Sequence, residues 1–521
     1  MSRKASEITS DIPIIIYKVS AHPHIVRRLF CALGGNPYLC TMTQPGIKEK
    51  TAKGFLWAAV NNGGQQLLNL IFGIFLARLL TPSDYGMVGM LSIFALIATS
   101  LQESGFMSAL CRKKDITQAD FNAVFWFNVL CASAVYALLF ACAPLIAAFF
   151  KEPVLTPLAR LSFLSFVISS FGTTPRAKLF RELKVKETAG ITFTALVVSG
   201  ITGITLAWNG FSYWGIALQN LTYCFCMSAG SWIVSGWRPS MNLNLRPLRG
   251  MIGFSSRLLL TNIFTHVNNN LFSVFFGRLY GDKTVGYYNQ ANKWTTIGYS
   301  TITGMLWNVT QPVFAQIENA EQRHRAFRKM LRFTSFISVP SLFGLALIAP
   351  EFITITITDK WLPSAELMQL LCVGGAFVPI CSLYSNFIIS LGRSNIFMYN
   401  TIALCLLQLA NLAALHPFGI RPMVITYVLI NILWVPVWNR CAHRHIGLSL
   451  LTALRDILPF VGIATLAMAA AHFASRPLDN IYLILVVKIL VAAGVYLGAL
   501  HLLGAAILKE CIGYLKKQKG N

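Results

Sequence analysis

Two neighbouring apolar stretches carry cationic and hydrogen-bonding residues at helical spacing. In residues 251–279, Arg257, Thr261, Thr265 and Asn268 follow one another at intervals of four, four and three, so they share one face of a helix. The next stretch carries Lys293 within a similar polar face. Arginine can clamp a phosphate with two parallel hydrogen bonds, and amides and hydroxyls bind sugar hydroxyls. The two faces therefore predict a shared polar cavity in which Arg257 and Lys293 hold an anionic ligand.

Few other charged residues fall inside the predicted spans. The basic ones are Arg160 and Lys488, and Glu103 is the acidic one. A charge within a membrane span is a functional-site hypothesis by default, whereas one near a span end can reach the interface along its own side chain. We weigh both interpretations for Arg160 and Lys488, and the alternative for Arg257 and Lys293 is a structural pairing with Glu103 or with backbone carbonyls. Glu103 is also the candidate for coupling to a proton or cation gradient.

The cavity helices belong to a sequence repeat. An apolar hairpin at residues 55–110 recurs 200 positions later, and 7 of the 25 positions from 62 to 86 are identical without a gap. Many transporters are built by internal duplication, with the substrate site between the repeats. The repeat adds four residues to the predicted substrate site: Arg78 and Arg278 at equivalent outer ends of the cavity, and Asn262 and Asn269, which match polar residues of the first hairpin.

The composition predicts an all-α integral membrane protein. Hydrophobic residues make up 55% of the chain and charged residues 12%, with a mean hydropathy of +0.60, whereas soluble domains carry roughly 25% charged residues. A helix crosses a bilayer with about 20 residues. Fourteen stretches reach that length, with approximate limits 55–80, 85–110, 122–150, 156–175, 189–208, 211–235, 251–279, 285–315, 331–350, 364–391, 396–415, 420–440, 457–475 and 480–508.

Lysine and arginine are unequally distributed between the predicted loops. Of the 43 in the chain, 27 lie on the side that includes both termini, counted from Lys48 onward, and 7 on the opposite side. Because cytoplasmic loops carry the excess of positive charge, both termini are predicted to be cytoplasmic. This pattern accounts for most of the net charge of +24 without nucleic acid as a partner. The 12 cysteines form no CxxC motif, and we expect no metal and no cofactor.

The N-terminal segment differs from the rest of the chain. Residues 1–41 mix basic residues with a short apolar run that does not resemble a signal peptide, so we expect them to be disordered or untranslated. Met42, followed by three lysines and the first span, is the predicted start of translation. Residues 1–50 as a whole are predicted to be an N-terminal cytoplasmic tail.

Two motifs carry a resemblance to a known family. The tetrapeptide at residues 54–57 (GFLW), the stretch at residues 77–86 (ARLLTPSDYG) and a basic first cytoplasmic loop resemble the bacterial polysaccharide flippases of the Wzx type, over roughly residues 45–510. These belong to the multidrug/oligosaccharidyl-lipid/polysaccharide (MOP) exporter superfamily. The resemblance implies two MATE-like six-helix bundles at 51–237 and 250–441 around a cationic cavity, two further helices at 455–508 and a basic tail at 509–521.

The same resemblance implies an activity, which we weigh against two others. A Wzx-type flippase moves an undecaprenyl-pyrophosphate-linked oligosaccharide from the inner to the outer leaflet by alternating access, for the synthesis of lipopolysaccharide O-antigen, capsule or exopolysaccharide. A multidrug exporter of the same superfamily would need more intramembrane carboxylates than Glu103. A membrane glycosyltransferase or polymerase would need paired carboxylates or a metal motif on a large outer loop, and the acidic residues here are scattered. We therefore expect no enzyme.

The predicted partners follow from this activity. They are the lipid-linked oligosaccharide, the lipids of the bacterial inner membrane, and polysaccharide polymerase and chain-length proteins. We expect a monomer, because each chain contains both halves.

Overall fold

The computed structural model describes residues 63–103, 116–182, 184–240, 252–317, 319–505 and 507–508. Within those ranges the chain is helical, and no strand occurs there. The predicted tails at 1–50 and 509–521, including Met42, lie outside the described residues.

The helices follow the predicted spans in order. Each of the fourteen predicted stretches coincides with one helix or with one pair of helices separated by a short break. The helices are α1 (63–79), α2 (Pro82–Glu103), α3 (Gln118–Phe150), α4 (Leu155–Arg181), α5 (Val185–Trp208), α6 (Ser212–Ser235), α7 (Ile252–Tyr280), α8 (Asp282–Gln316), α9 (Ala320–Leu347), α10 (Ala349–Ile357), α11 (Leu362–Gly375), α12 (Val378–Ser390), α13 (Ser394–Leu415), α14 (Ile420–Ile446), α15 (Leu450–Ser475) and α16 (Ile481–Leu502).

Apolar character separates these helices into two groups. In the described ranges, 10 helical segments are long and apolar enough to cross a membrane, which confirms a multi-pass membrane protein, while the total of fourteen crossings stays a prediction. Helices α6, α7 and α8, with 24, 29 and 35 residues, are long enough but are not among these segments. Polar groups are tolerated in spans that face protein or a water-filled cavity. The polar composition of α7 and α8 is therefore compatible with the predicted cavity, although α6 shares it.

Helices α2 and α8 cross at their first turns, where the two halves of the chain meet. A Cβ atom added to Gly86 would lie 1.9 Å from the carbonyl oxygen of Asp282, and one added to Gly286 would lie 1.9 Å from that of Pro82. Only glycine permits this approach of one backbone to another. Because residues 86 and 286 are equivalent in the repeat, the contact is reciprocal. We call this end of the helices the outer end, as the charge distribution predicts.

Ion pairs fasten the C-terminal helices α15 and α16 to the second half. Asp456 of α15 is buried and binds Arg328 and Arg332 of α9. Lys488 Nζ of α16 lies 2.6 Å from Glu351 Oε1 at the start of α10 and 3.2 Å from the carbonyl oxygen of Leu347, where α9 ends. The side chains of Lys488 and Glu351 are only 8% and 12% exposed. The interpretation of Lys488 as a side chain that reaches the membrane surface is therefore wrong, because it has a buried anionic partner.

Candidate functional site

Lys293 lies where the first and second halves of the chain meet. A Cβ atom on Gly73 of α1 would lie 2.6 Å from Lys293 Nζ, so the glycine leaves the space that the ammonium group occupies. Lys293 Nζ lies 5.8 Å from the centre of the neighbouring Trp294 ring. It has no hydrogen bond and no ion pair with any other residue in the described ranges. Lys293 is thus a cation between the halves that retains its capacity to bind an anion.

The other residues predicted to line the cavity lie on adjacent helices. Arg257, Asn262 and Asn269 belong to α7, and Glu103 is the last residue of α2. Helices α7 and α8 both pack against α2, so the structure brings the helices that carry these residues together. The side chains of these four residues lie outside the described part of the structure, and their predicted roles stay predictions.

Arg78 binds the second half of the chain. Its Nε and Nη2 atoms each donate a 2.7 Å hydrogen bond, to the carbonyl oxygens of Thr356 and Ile355 respectively. These carbonyls belong to the last turn of α10, whose C-terminal groups lack partners within the helix and carry partial negative charge. Lys360 donates in turn to the carbonyl oxygen of Arg78 over 2.6 Å. The guanidinium group therefore joins the end of α1 to the end of α10.

Arg278 of the second half binds the end of a helix in the first half, as Arg78 of the first half does in the second. Its Nη1 atom donates to the carbonyl oxygen of Phe149 in the last turn of α3, and its guanidinium carbon lies 5.3 Å from the centre of the Phe149 ring. Helix α3 follows the first hairpin along the chain, as α9 and α10 follow the second. In this conformation both arginines hold helix ends, so their donors bind protein carbonyls rather than a free cavity.

These contacts close the outer end between the halves. Besides the arginines and the two glycines, Ser83 Oγ donates a hydrogen bond to Asp282 Oδ2 across the crossing of α2 and α8. We call this set the outer junction: Arg78, Ser83, Gly86, Arg278, Asp282 and Gly286. The fully buried Trp361 adds a 2.8 Å hydrogen bond from its indole Nε1 to the carbonyl oxygen of Ala77. The outer junction is therefore closed in this structure.

Arg160 contacts its own half of the chain. Its guanidinium carbon in α4 lies 4.3 Å from the centre of the Phe140 ring in α3, and its Nε atom is buried without a hydrogen-bond partner among the described residues. An arginine over an aromatic face is attracted by the ring quadrupole. The contact therefore stabilises the Arg160 guanidinium group within the first half of the chain.

Sequence reasoning missed three residues close to Lys293. Gly73 of α1 faces the ammonium group. Gln290 and Trp294 lie on α8 with Lys293, and both carry buried polar atoms without partners among the described residues. The spacing of residues 290, 293 and 294 at i, i+3 and i+4 could have indicated a common site. Glutamine and tryptophan at these positions carry no charge, so the search for charged residues within spans did not include them.

The fold defines the class of protein. The inward closed structure of the lipid II flippase MurJ superposes on 88% of this chain and all of its own chain, with a TM-score of 0.72 and 14% identity. An inward-facing MATE family multidrug transporter of the MOP superfamily superposes on 74% of this chain and 94% of its own, with a TM-score of 0.60 and 18% identity. The predicted all-α membrane fold is confirmed, and the chain shares it with these two transporters.

The family follows from the sequence. Residues 75–366 match the family of polysaccharide biosynthesis proteins, and the chain belongs to that family. It is 24% identical to the lipopolysaccharide biosynthesis protein WzxC of Escherichia coli K12 over 362 residues, covering 68% of this chain and 73% of WzxC. It is 23% identical to the teichuronic acid biosynthesis protein TuaB of Bacillus subtilis 168 over 436 residues, covering 82% and 89%. The predicted resemblance is confirmed.

Proposed function

We propose that this protein moves an undecaprenyl-pyrophosphate-linked oligosaccharide from the inner to the outer leaflet of the bacterial cytoplasmic membrane. The observation that carries the proposal is Lys293, a cation without an anionic partner among the described residues, held between two halves of a transporter fold. Membership of the polysaccharide biosynthesis family supports a sugar-bearing substrate. The names of WzxC and TuaB associate those relatives with surface polysaccharides.

Lys293 and Arg257 hold the pyrophosphate in this proposal. Two unit charges about 4 Å apart attract each other by about 4 kcal/mol at an effective dielectric constant of about 20. An anionic ligand therefore offsets the desolvation of a lysine that the protein itself leaves unpaired. Asn262 and Asn269 of α7 bind hydroxyl groups of the sugar. Arg160, Arg78 and Arg278 are weaker candidates, because the structure gives each of them a protein contact.

The outer junction supports alternating access. Its contacts close the outer end, so substrate enters from the cytoplasmic side that the charge distribution predicts. In this proposal, rocking of the two halves separates α2 from α8 and breaks the hydrogen bonds of Arg78 to α10 and of Arg278 to α3. Rocking of one repeat against the other is how transporters built from repeats alternate access. Glu103 is our candidate for coupling this change to a proton or cation gradient. A single chain is sufficient, since it supplies both halves.

The polyprenyl chain stays in lipid while its headgroup crosses. An isoprenoid is apolar and gains nothing from a polar cavity. One surface suited to it is an apolar groove of about 430 Å³ between α9, α15 and α16, with Gly344, Met468 and Ala492 among its lining residues.

Cation-coupled drug export is less supported. Such an exporter uses unpaired intramembrane carboxylates to attract cations. In the described part of the chain, the carboxylates of Glu351 and Asp456 are instead paired with Lys488 and with two arginines. The buried carboxylates of Asp84 and Asp120 accept hydrogen bonds at helix N-termini, from Thr81 and Thr117.

Leaflet transfer in proteoliposomes tests the proposal. The probe is undecaprenyl pyrophosphate carrying a fluorescent oligosaccharide, with native protein, Lys293→Ala and the matched control Lys283→Ala. Lys283 lies on the same helix, is exposed, and loses the same charge on substitution. We expect transfer by native protein and by Lys283→Ala, and at least a tenfold slower rate in Lys293→Ala, since losing one charged hydrogen bond costs about 1.5–3 kcal/mol. Equal rates in all three proteins would exclude Lys293 as the pyrophosphate ligand.

A further inference from the structure

Two buried polar side chains lie within one turn of Lys293 and have no hydrogen-bond partner among the described residues. Gln290 is 1% exposed and both atoms of its amide are unpartnered, and Trp294 is 4% exposed with an unpartnered indole N–H. The large majority of buried side-chain polar atoms in proteins have a partner. Two such residues on consecutive turns of one helix therefore require an explanation.

Their face of α8 packs against α10 and Trp361, which belong to the second half and also contact the first half. Tyr287, Gln290 and Trp294 share this face, because they are three and four residues apart. The Tyr287 ring lies 6.3 Å from the Trp361 ring, and the Trp294 ring lies 5.0 Å from the Phe352 ring of α10. Helix α10 and Trp361 in turn bind the end of α1 through Arg78 and Ala77. Separation of the halves at the outer junction thus removes the α1 contacts of the two elements that cover Gln290 and Trp294.

We infer that Gln290 and Trp294 recognise the sugar that adjoins the pyrophosphate, once the outer junction opens. The inference rests on the proposed function. Gln290 lies about 4.5 Å along the helix axis from Lys293, toward the outer end, at a rise of about 1.5 Å per residue. A ligand whose phosphate binds Lys293 places its next group beside this amide.

The chemistry of both side chains fits a sugar. A glutamine amide both donates and accepts hydrogen bonds, as a hydroxyl-bearing ring requires, and the indole N–H is a further donor. The indole ring also offers an apolar face against which a sugar ring packs. Neither polar group stabilises the closed conformation, because an unpartnered buried donor or acceptor is unfavourable. Their contribution therefore belongs to the ligand-bound, open conformation.

The test compares two lipids on four proteins in detergent. The lipids are undecaprenyl pyrophosphate with and without the oligosaccharide, and the proteins are native, Gln290→Leu, Trp294→Phe and the control Thr334→Val. Thr334 on α9 is also 1% exposed with an unpartnered hydroxyl, but it does not belong to the face beside Lys293. Dissociation constants and midpoints of thermal unfolding are measured for each protein.

We expect the oligosaccharide to increase the affinity of native protein and of Thr334→Val. Gln290→Leu and Trp294→Phe bind the bare lipid as native protein does but lose about tenfold of the sugar-dependent gain, which corresponds to one hydrogen bond. The unfolding midpoint of Gln290→Leu is equal to or above the native value, because an unpartnered polar group is removed, whereas that of Trp294→Phe is lower because the smaller ring leaves a cavity. This combination separates recognition from a structural role.

Three results count against the inference or its basis. Full sugar-dependent gain in both variants overturns it, and so does an equal loss of affinity for both lipids, because that result assigns the residues to the pyrophosphate or to folding. Absence of binding of either lipid by native protein instead contradicts the proposed function.

Discussion

Alanine at Gly86 or Gly286 is expected to open the outer junction. In each case the new Cβ atom would lie 1.9 Å from a backbone carbonyl oxygen of the other half, whereas ordinary contact begins near 3.4 Å. The two helices must separate by about 1.5 Å, because neither contacting atom is the end of a flexible side chain. Overpacking of this kind costs about 1–3 kcal/mol. If the closed conformation alone bears this cost, its population falls by about 5- to 150-fold relative to the open one.

Spin-label distances between the halves measure this shift. Labels at Val154 of the first half and Lys283 of the second, both exposed at the outer end, report separation in a cysteine-depleted protein. Gly86→Ala and Gly286→Ala are each expected to increase the population with long distances. Gly304→Ala on α8 is the matched control, since its Cβ atom meets nothing within 4 Å. Native distance distributions in both variants would refute the account of how α2 and α8 close the outer end.

Two further predictions concern the ion pairs of the C-terminal helices. Lys488→Ala leaves Glu351 as an unpaired buried charge and is expected to destabilise the protein by about 3–5 kcal/mol in thermal unfolding, whereas Lys488→Leu combined with Glu351→Leu costs less because both charges are removed. An equal loss of stability in the single and double variants would exclude that explanation. Asp456→Asn weakens its hydrogen bonds to Arg328 and Arg332 and is expected to cost about 1–3 kcal/mol, with α15 more susceptible to proteolysis. Native stability and native protease resistance would show that α15 does not depend on this pair.

The sequence repeat revealed equivalent positions but not the atoms that they contact. Identity at positions 78 and 278 and at positions 86 and 286 indicated a duplication. The partners are backbone carbonyls of α10, α3 and the opposing helix ends, and a carbonyl has no sequence signature. For this reason the arginines were predicted to mark a cavity mouth, whereas in this conformation they bind helix ends across the two halves.

Lys293 and Lys488 illustrate which buried charges can be interpreted from sequence. Lys293 was placed inside a polar helix face, and the structure leaves it without a partner in the described residues. The partner of Lys488 was not predicted, because Glu351 lies just beyond the predicted stretch 331–350, where the chain continues from α9 through a short break into α10. Hydropathy does not indicate such breaks, because the residues on both sides are equally apolar.

Gln290 and Trp294 were missed for a different reason. Glutamine within a span and tryptophan at a helix interface are common, so type and spacing alone do not distinguish packing from recognition. What distinguishes them is the combination of unpartnered buried polar atoms with a position beside Lys293, and the missing partners are seen only in the folded chain. Hydrogen-bond satisfaction is a property of the tertiary structure.

A reversible cross-link across the outer junction tests the central claim most directly. Ser83→Cys and Asp282→Cys are introduced together in a cysteine-depleted protein, because the native side chains are hydrogen-bonded. Leaflet transfer of undecaprenyl-pyrophosphate-linked oligosaccharide is then measured in proteoliposomes before and after reduction, with the cysteine-depleted parent as control. If the junction must open for each transfer, the oxidised protein is inactive and reduction restores the rate of the parent. Transfer at the same rate by fully cross-linked protein would contradict alternating access between the two halves.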